Sequence, residues 1–168
     1  AMTVFENVLV ARHGRISYNV FDAMFRTRRF KRGEQRGTRK AVDLLEYFGF
    51  TDRAEELARN LPYGDQRKLE IARALALEPE LLLLDEPAAG LNPQETLALR
   101  DMIRRIRGDF DLTVLLIEHH MNMVMSLSDR VAVLDYGKLI AEGTPPEVRR
   151  NPAVIEAYLG AGAIGNVS

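Results

Sequence analysis

Three short apolar runs, Leu81–Leu84, Thr113–Ile117 and Val131–Leu134, constrain this chain more than any other feature, because stretches of helical periodicity separate them. Runs of that length suit strands and are too short for core helices. Their alternation with helical segments reads as βαβ units, whose strands lie parallel and buried in a sheet. Pro93 stands where a helix tolerates proline, at its first turn. Leu97, Met102 and Ile106 follow on that helix, and Gly108 punctuates its end. Tyr136-Gly137 divides the third run from Leu139-Ile140, which predicts a tight turn.

Before Asn60 the pattern is helical. Val4, Val8 and Ala11, then Ala41, Leu44, Leu45 and Phe48, fall at helical spacing, and Gly33 and Gly37 are expected to interrupt it. Within this stretch, eight of the fifteen residues from Arg26 to Lys40 are basic. The run reads as a solvated helix end and loop, the alternative being a partner-docking surface. The expected organisation is a helical subdomain over 1–60, continuing to about residue 77, then an α/β part over 78–168. The Gly/Ala-rich tail from Gly160 to Gly165 is expected to fray. With 46% hydrophobic residues in 168, the chain can bury one core. Lys+Arg 23 against Asp+Glu 24 gives no global footprint for nucleic acid. The absence of cysteine excludes disulfides and thiolate metal ligands and fits a reducing cytosol. No apolar run approaches the roughly 20 residues that span a bilayer.

Three features carry chemistry. Asp85 and Glu86 end the all-leucine run, at the carboxyl end of a predicted strand, where open α/β sheets bind ligands. An aspartate there can hold Mg²⁺ and the following glutamate can accept a proton from an attacking water, although acidic residues at strand ends also serve as helix caps. Asn60 to Leu75 forms a turn containing Gly64 that opens a helix with Leu69, Ile71, Ala72 and Leu75 on it. Such a turn can bind an anion through free N–H groups and the helix dipole, and it can equally be ordinary helix initiation. Glu118-His119-His120-Met121 follows the second run, so His119 falls at the end of a second strand; with only His13 elsewhere, the sequence argues against a zinc centre.

Taken together these residues resemble the ABC ATPase family. Leu61-Pro-Tyr-Gly-Asp-Gln-Arg-Lys-Leu-Glu-Ile-Ala-Arg-Ala-Leu75 is similar to that family's LSGGQ signature and its helix. Leu81 to Glu86 resembles the Walker B strand, Ala89-Gly-Leu-Asn92 the D-loop, and His119 the switch histidine. The phrases Glu86-Pro-Ala-Ala-Gly-Leu-Asn-Pro93, Ile117-Glu-His-His-Met121 and Asn151-Pro-Ala-Val-Ile-Glu-Ala-Tyr-Leu-Gly160 most resemble ATPase subunits of branched-chain amino-acid importers, and lipid- and polysaccharide-export ATPases share some of them. The resemblance implies an α/β, P-loop NTPase-like, mostly parallel sheet flanked by helices, with an α-helical subdomain. It implies ATP and Mg²⁺ as ligands, a second ATPase subunit in a homo- or heterodimer, integral membrane permease subunits, no nucleic acid, and a cytoplasmic position peripheral to the membrane. By the same resemblance Asp85 positions Mg²⁺, Glu86 polarises the hydrolytic water and His119 senses the γ-phosphate. Leu61, Pro62, Tyr63, Gly64, Asp65 and Gln66, with Asn92, cap the nucleotide of the opposing subunit.

Departures from the family pattern matter equally. No Gly-x-x-x-x-Gly-Lys-Ser/Thr occurs, so the phosphate-loop strand is expected to be missing and this polypeptide alone to neither bind ATP tightly nor hydrolyse it. Family topology would place that strand between those at 113–117 and 131–135, which are expected either to close on each other or to be filled by another chain. Pro62 stands at the signature serine, Asp65 at the usual glutamine, where its charge would oppose a phosphate unless it points away, and Asn92 at the D-loop aspartate. Two other readings stay open: an ABC ATPase acting on DNA or ribosomes, and a degenerate regulatory module without catalysis.

Overall fold

A computed structural model describes residues 2–13, 20–25 and 27–159. Arg26, at the head of the basic run, and the Gly/Ala-rich tail lie outside the described residues. Helices α1 (Val4–His13), α2 (Val20–Met24), α3 (Arg28–Phe48) and α4 (Tyr63–Leu75) precede strand β1 (Leu81–Asp85). Then follow α5 (Pro93–Asp109), β2 (Thr113–Ile117), α6 (Met121–Leu127), the strands β3 (Val131–Asp135) and β4 (Lys138–Gly143), and the helices α7 (Pro145–Arg149) and α8 (Pro152–Leu159).

The expected interruption of the first helical stretch at Gly33 and Gly37 does not occur: α3 runs unbroken for 21 residues. Each mid-helix glycine costs about 1 kcal/mol relative to alanine. Gly37 offsets that cost by lying on the buried stripe, one turn before Ala41, Leu44, Leu45 and Phe48. Thr27 caps the helix start by accepting from Phe30 N, and Gly49 ends it in the left-handed conformation at φ 73°. The basic run is therefore helix rather than loop over residues 28–40.

β1 and β2 pair in parallel, Leu82 opposite Val114 and Leu84 opposite Leu116, with α5 between them in sequence. Leu82 and Leu84 face a core shared with α1, α3, α4 and α5, centred on Val4, Val8, Ala41, Leu75 and Ile106. The same hydrophobic cluster thus holds residues from before residue 60 and after residue 78. Asn92 opens α5 with a full capping box: its side chain accepts from Glu95 N while the Glu95 carboxylate accepts from Asn92 N.

Two expectations about the strands need correction. The alternate residues Leu81, Leu83, Leu115 and Ile117 are 50, 64, 55 and 58% exposed, so the β1–β2 sheet is covered on one face only. Nothing among the described residues packs on its other face. β3 joins neither β1 nor β2; it forms a separate antiparallel hairpin with β4 through Tyr136-Gly137, both at positive φ. That turn matches the predicted one, and its left-handed pair fits the right-handed twist of the strands it joins. β2 and β3 do not close on one another; Val131 and Ala141 instead build a second small core with Val148 and Val154.

Candidate functional site

Parallel pairing puts the carboxyl ends of β1 and β2 side by side, Asp85 opposite Ile117, so the residues that follow both strands leave on the same side. Glu86 N donates to the Ile117 carbonyl at 2.8 Å, extending the ladder one residue past β1. Glu86 itself sits at φ 43°, a conformation that costs a non-glycine residue on the order of 1 kcal/mol. His119 Nδ1 lies 3.6 Å from Glu86 Oε1. The structure thus brings Glu86 and His119 together, while Asp85 ends β1 one residue earlier, and all three side chains remain solvent-accessible.

Glu118, to which the sequence pattern assigns no role, organises this end of the sheet. Its side chain is fully enclosed. Oε1 accepts from Ala88 N at 2.9 Å, tying the turn after Glu86 to β2. Oε2 accepts from the backbone N–H groups of His119 and His120 at 3.2 and 3.3 Å and contacts His120 Nδ1 at 2.9 Å. Burial raises its pKa, but the His120 ring and these backbone donors outweigh that, and the carboxyl lies below the usual glutamate value. Because an ionised carboxylate only accepts, His120 Nδ1 carries the hydrogen. The His119 and His120 rings are tilted against each other with centroids 4.4 Å apart. No sequence signal distinguishes Glu118 from an exposed glutamate, since its burial depends on the turn at 86–90.

The signature-like segment takes a different form from the one expected. Pro62 is the N-cap of α4, and Gly64 lies inside the first helical turn rather than in the turn before it. A Cβ on Gly64 would meet Glu95 Oε1 at 3.2 Å, so glycine there permits close approach of α5. Leu61 is buried, and its carbonyl accepts from Gln66 Nε2 at 2.8 Å. Asp65 does not present a bare charge: Arg53 Nη1 and Lys68 Nζ reach its two oxygens at 2.8 and 2.9 Å. Partial burial pushes the Asp65 pKa up, yet Lys68 and then Arg53 hold it below the ordinary value. Arg53 also pairs with Glu56, so one guanidinium ties the short 3-10 turn at Thr51–Arg53 to the following loop and, through Asp65, to α4.

Tyr63 links this segment to the turn after β1. Its hydroxyl donates to the Ala89 carbonyl at 3.1 Å, and the Arg67 guanidinium lies over its ring at 5.0 Å. Gly90, at φ 78°, allows the ring to approach: an added Cβ would stand 3.2 Å from Tyr63 Cε1. Asn92 spends its side-chain oxygen on the α5 cap. A surface cavity of about 360 Å³, lined by Phe48, Lys68 and Arg105 among others, shares no residue with the strand-end cluster. That cluster is an open shelf of carboxylates and imidazoles.

A βαβ unit with adjacent acidic and histidine strand ends, beside a helix whose first turn holds a glycine, fits an ATP-binding-cassette fold. The chain belongs to the ABC transporter family, whose model matches residues 1–89; a second model, for branched-chain amino acid ATP-binding cassette transporters, matches residues 138–164. Among curated relatives, it is 48% identical over 159 residues to the high-affinity branched-chain amino acid transport ATP-binding protein LivG of Salmonella typhimurium and of Escherichia coli K12, covering 95% of this chain and 62% of each relative. Against the corresponding protein BraF of Pseudomonas aeruginosa the identity is 47% over the same coverage. The chain therefore spans less than two thirds of the length of these relatives. Among solved structures, the ADP conformation of an ABC-transporter ATP-binding cassette superposes with a TM-score of 0.74 at 28% identity, covering 95% of this chain and 63% of that one. No helix among the described residues is long and apolar enough to cross a membrane.

Proposed function

We propose that this chain is the signature-bearing and strand-end part of an ATP-hydrolysing subunit that energises import of branched-chain amino acids. The observation that carries the proposal is the convergence of Glu86 and His119, 3.6 Å apart at adjacent strand ends, in a chain 48% identical to branched-chain amino-acid transport subunits. Within that reading, Asp85 offers Mg²⁺ a hard oxygen donor at the end of β1, and the ion would supply charge neutralisation for phosphate oxygens. Glu86 accepts the proton of the attacking water, and its carboxylate is exposed beside His119. His119 donates to a terminal phosphate oxygen, while Glu118 holds the backbone around it. Leu61 to Gln66 and Asn92 cap a nucleotide held by a second subunit, and permease subunits anchor the assembly at the cytoplasmic face of a membrane.

The residues present fit ATP only in part. They include carboxylates and an imidazole for the γ-phosphate end, and the sequence contains no Gly-x-x-x-x-Gly-Lys-Ser/Thr. This polypeptide by itself is accordingly expected neither to bind ATP at micromolar concentration nor to hydrolyse it, which a nucleotide titration checks. In a polypeptide that joins this chain to a phosphate-loop segment, Glu86→Gln is expected to lower ATP turnover on the order of 100-fold or more while leaving ATP binding intact. Unchanged turnover would remove Glu86 from the reaction and with it the proposed site.

A further inference from the structure

The first nine residues of α3 do nothing for the core. None of residues 28–36 is buried; the buried stripe of this helix begins only at Gly37. Five of the nine are cations, Arg28, Arg29, Lys31, Arg32 and Arg36, against the single acid Glu34. Their spacing works against the helix. Arg28 and Arg32, and Arg32 and Arg36, are like charges four residues apart, and the first turn, at the positive end of the helix dipole, contains no acid. Phe30, Gly33 and Glu34 are half-buried there, while Arg28, Lys31, Arg32 and Arg36 stay exposed with like charge four residues apart, a repulsion that an external anion would relieve.

The same end of the molecule also carries exposed apolar bulk. Phe21, Met24 and Phe25 are 69, 64 and 69% exposed. They are fixed beside the cations: Thr27 Oγ1 donates to Asp22 Oδ1 at 2.8 Å, Thr27 N donates to the Asp22 carbonyl at 3.1 Å, and Thr27 Oγ1 caps α3. Three large apolar side chains next to a cation cluster match the layered chemistry of a bilayer interface, where anionic headgroups and acyl chains lie within one side-chain length of each other. Duplex nucleic acid would satisfy the cations and leave the apolar trio in water.

We propose that the α2–α3 end of this protein binds the headgroup layer of an anionic lipid bilayer, with Phe21, Met24 and Phe25 entering between headgroups and Arg28, Arg29, Lys31 and Arg32 meeting lipid phosphates. This contact is independent of nucleotide chemistry, so its failure would leave the reading of Glu86 and His119 untouched.

Co-sedimentation of the chain with phosphatidylglycerol-containing vesicles tests it, beside pure phosphatidylcholine vesicles and a duplex RNA. Binding to the anionic vesicles is expected, strongly weakened near 0.5 M NaCl, where the Debye length falls below about 5 Å. The fourfold variant R28E/R29E/K31E/R32E is expected to weaken it on the order of 100-fold or more. The triple variant F21S/M24S/F25S is expected to weaken it while keeping the salt dependence. Because these side chains are not buried, unchanged circular dichroism is expected for both variants. Equal binding to both vesicle types, binding unchanged in the fourfold variant, or binding to RNA with none to vesicles would each overturn the proposal; the second result would point instead to the bare face of the β1–β2 sheet.

Discussion

Glu118 shows how a single buried carboxylate can hold together two strand ends whose other polar side chains, Asp85, Glu86 and His119, are exposed. It accepts from Ala88 N, from the N–H groups of His119 and His120, and from the His120 ring. Glu118→Ala would leave three backbone donors without their acceptor, and a loss of about 1–3 kcal/mol is expected in urea unfolding at neutral pH. The pH dependence has a defined sign. Its folded pKa is depressed, so the stability it contributes is fully present above the ordinary glutamate value of about 4.3 and is lost as pH falls through and below it. Glu118→Gln, which cannot ionise, is expected to flatten that part of the stability profile between about pH 5 and pH 3; an unchanged slope would assign it to other carboxylates such as Asp65 and Glu78. Asp85, Glu86 and His119 were readable from the sequence because a strand end is a position that hydrophobic pattern alone can locate. Glu118 was not, since whether a side chain turns inward after a strand is set by the partner turn, thirty residues away. The Arg53 and Lys68 pairing that neutralises Asp65 was unreadable for the same reason.

At the level of elements, local signals that act within one turn were legible, and signals that need a neighbour were not. Pro93, Gly108 and the apolar spacing locate α5 within a residue of its observed limits, because proline and glycine punctuation and periodicity are properties of the helix itself. Gly33 and Gly37 read as breaks in α3 and are not, because packing of Gly37, Ala41 and Leu44 outweighs glycine's cost. Asn92→Ala, which deletes the capping box, is expected to destabilise the protein by about 1 kcal/mol in a thermal or urea melt. The joint between α4 and the turn after β1 is tighter. Gly90→Ala both strains a left-handed residue and pushes on the Tyr63 ring, and about 1–3 kcal/mol is expected to be lost. Adding Tyr63→Ala to Gly90→Ala should recover the steric part of that loss. A double-mutant cycle with no coupling would show that the ring is not what confines position 90.

For the whole molecule, the decisive fact is that two small cores sit under two separate sheets. β1–β2 packs on the helices through Leu82 and Leu84, β3–β4 packs on α7 and α8, and β2 and β3 each keep an edge unpaired among the described strands. The sequence pattern promised strands buried on both faces because unbroken apolar runs belong to such strands, and the runs themselves are real. No described residue covers their second face. The band formed by Leu81, Leu83, Leu115 and Ile117 is larger than a scatter of single exposed side chains, and beside an open strand edge it is a surface that recruits other chains. This polypeptide is therefore expected to self-associate at micromolar concentration and to bind a hydrophobic dye in its folded state. The double variant L83K/L115K places charge at paired positions of the bare face while leaving Leu82 and Leu84 in the core. It should shift the sedimentation profile toward monomer and reduce dye binding, with a melting midpoint within a few degrees of the parent, because both side chains are more than half exposed. Self-association that persists in L83K/L115K would move the adhesive surface to the β3–β4 hairpin, where Leu134 and Leu139 are also exposed. A midpoint that collapses would mean instead that this face is already covered.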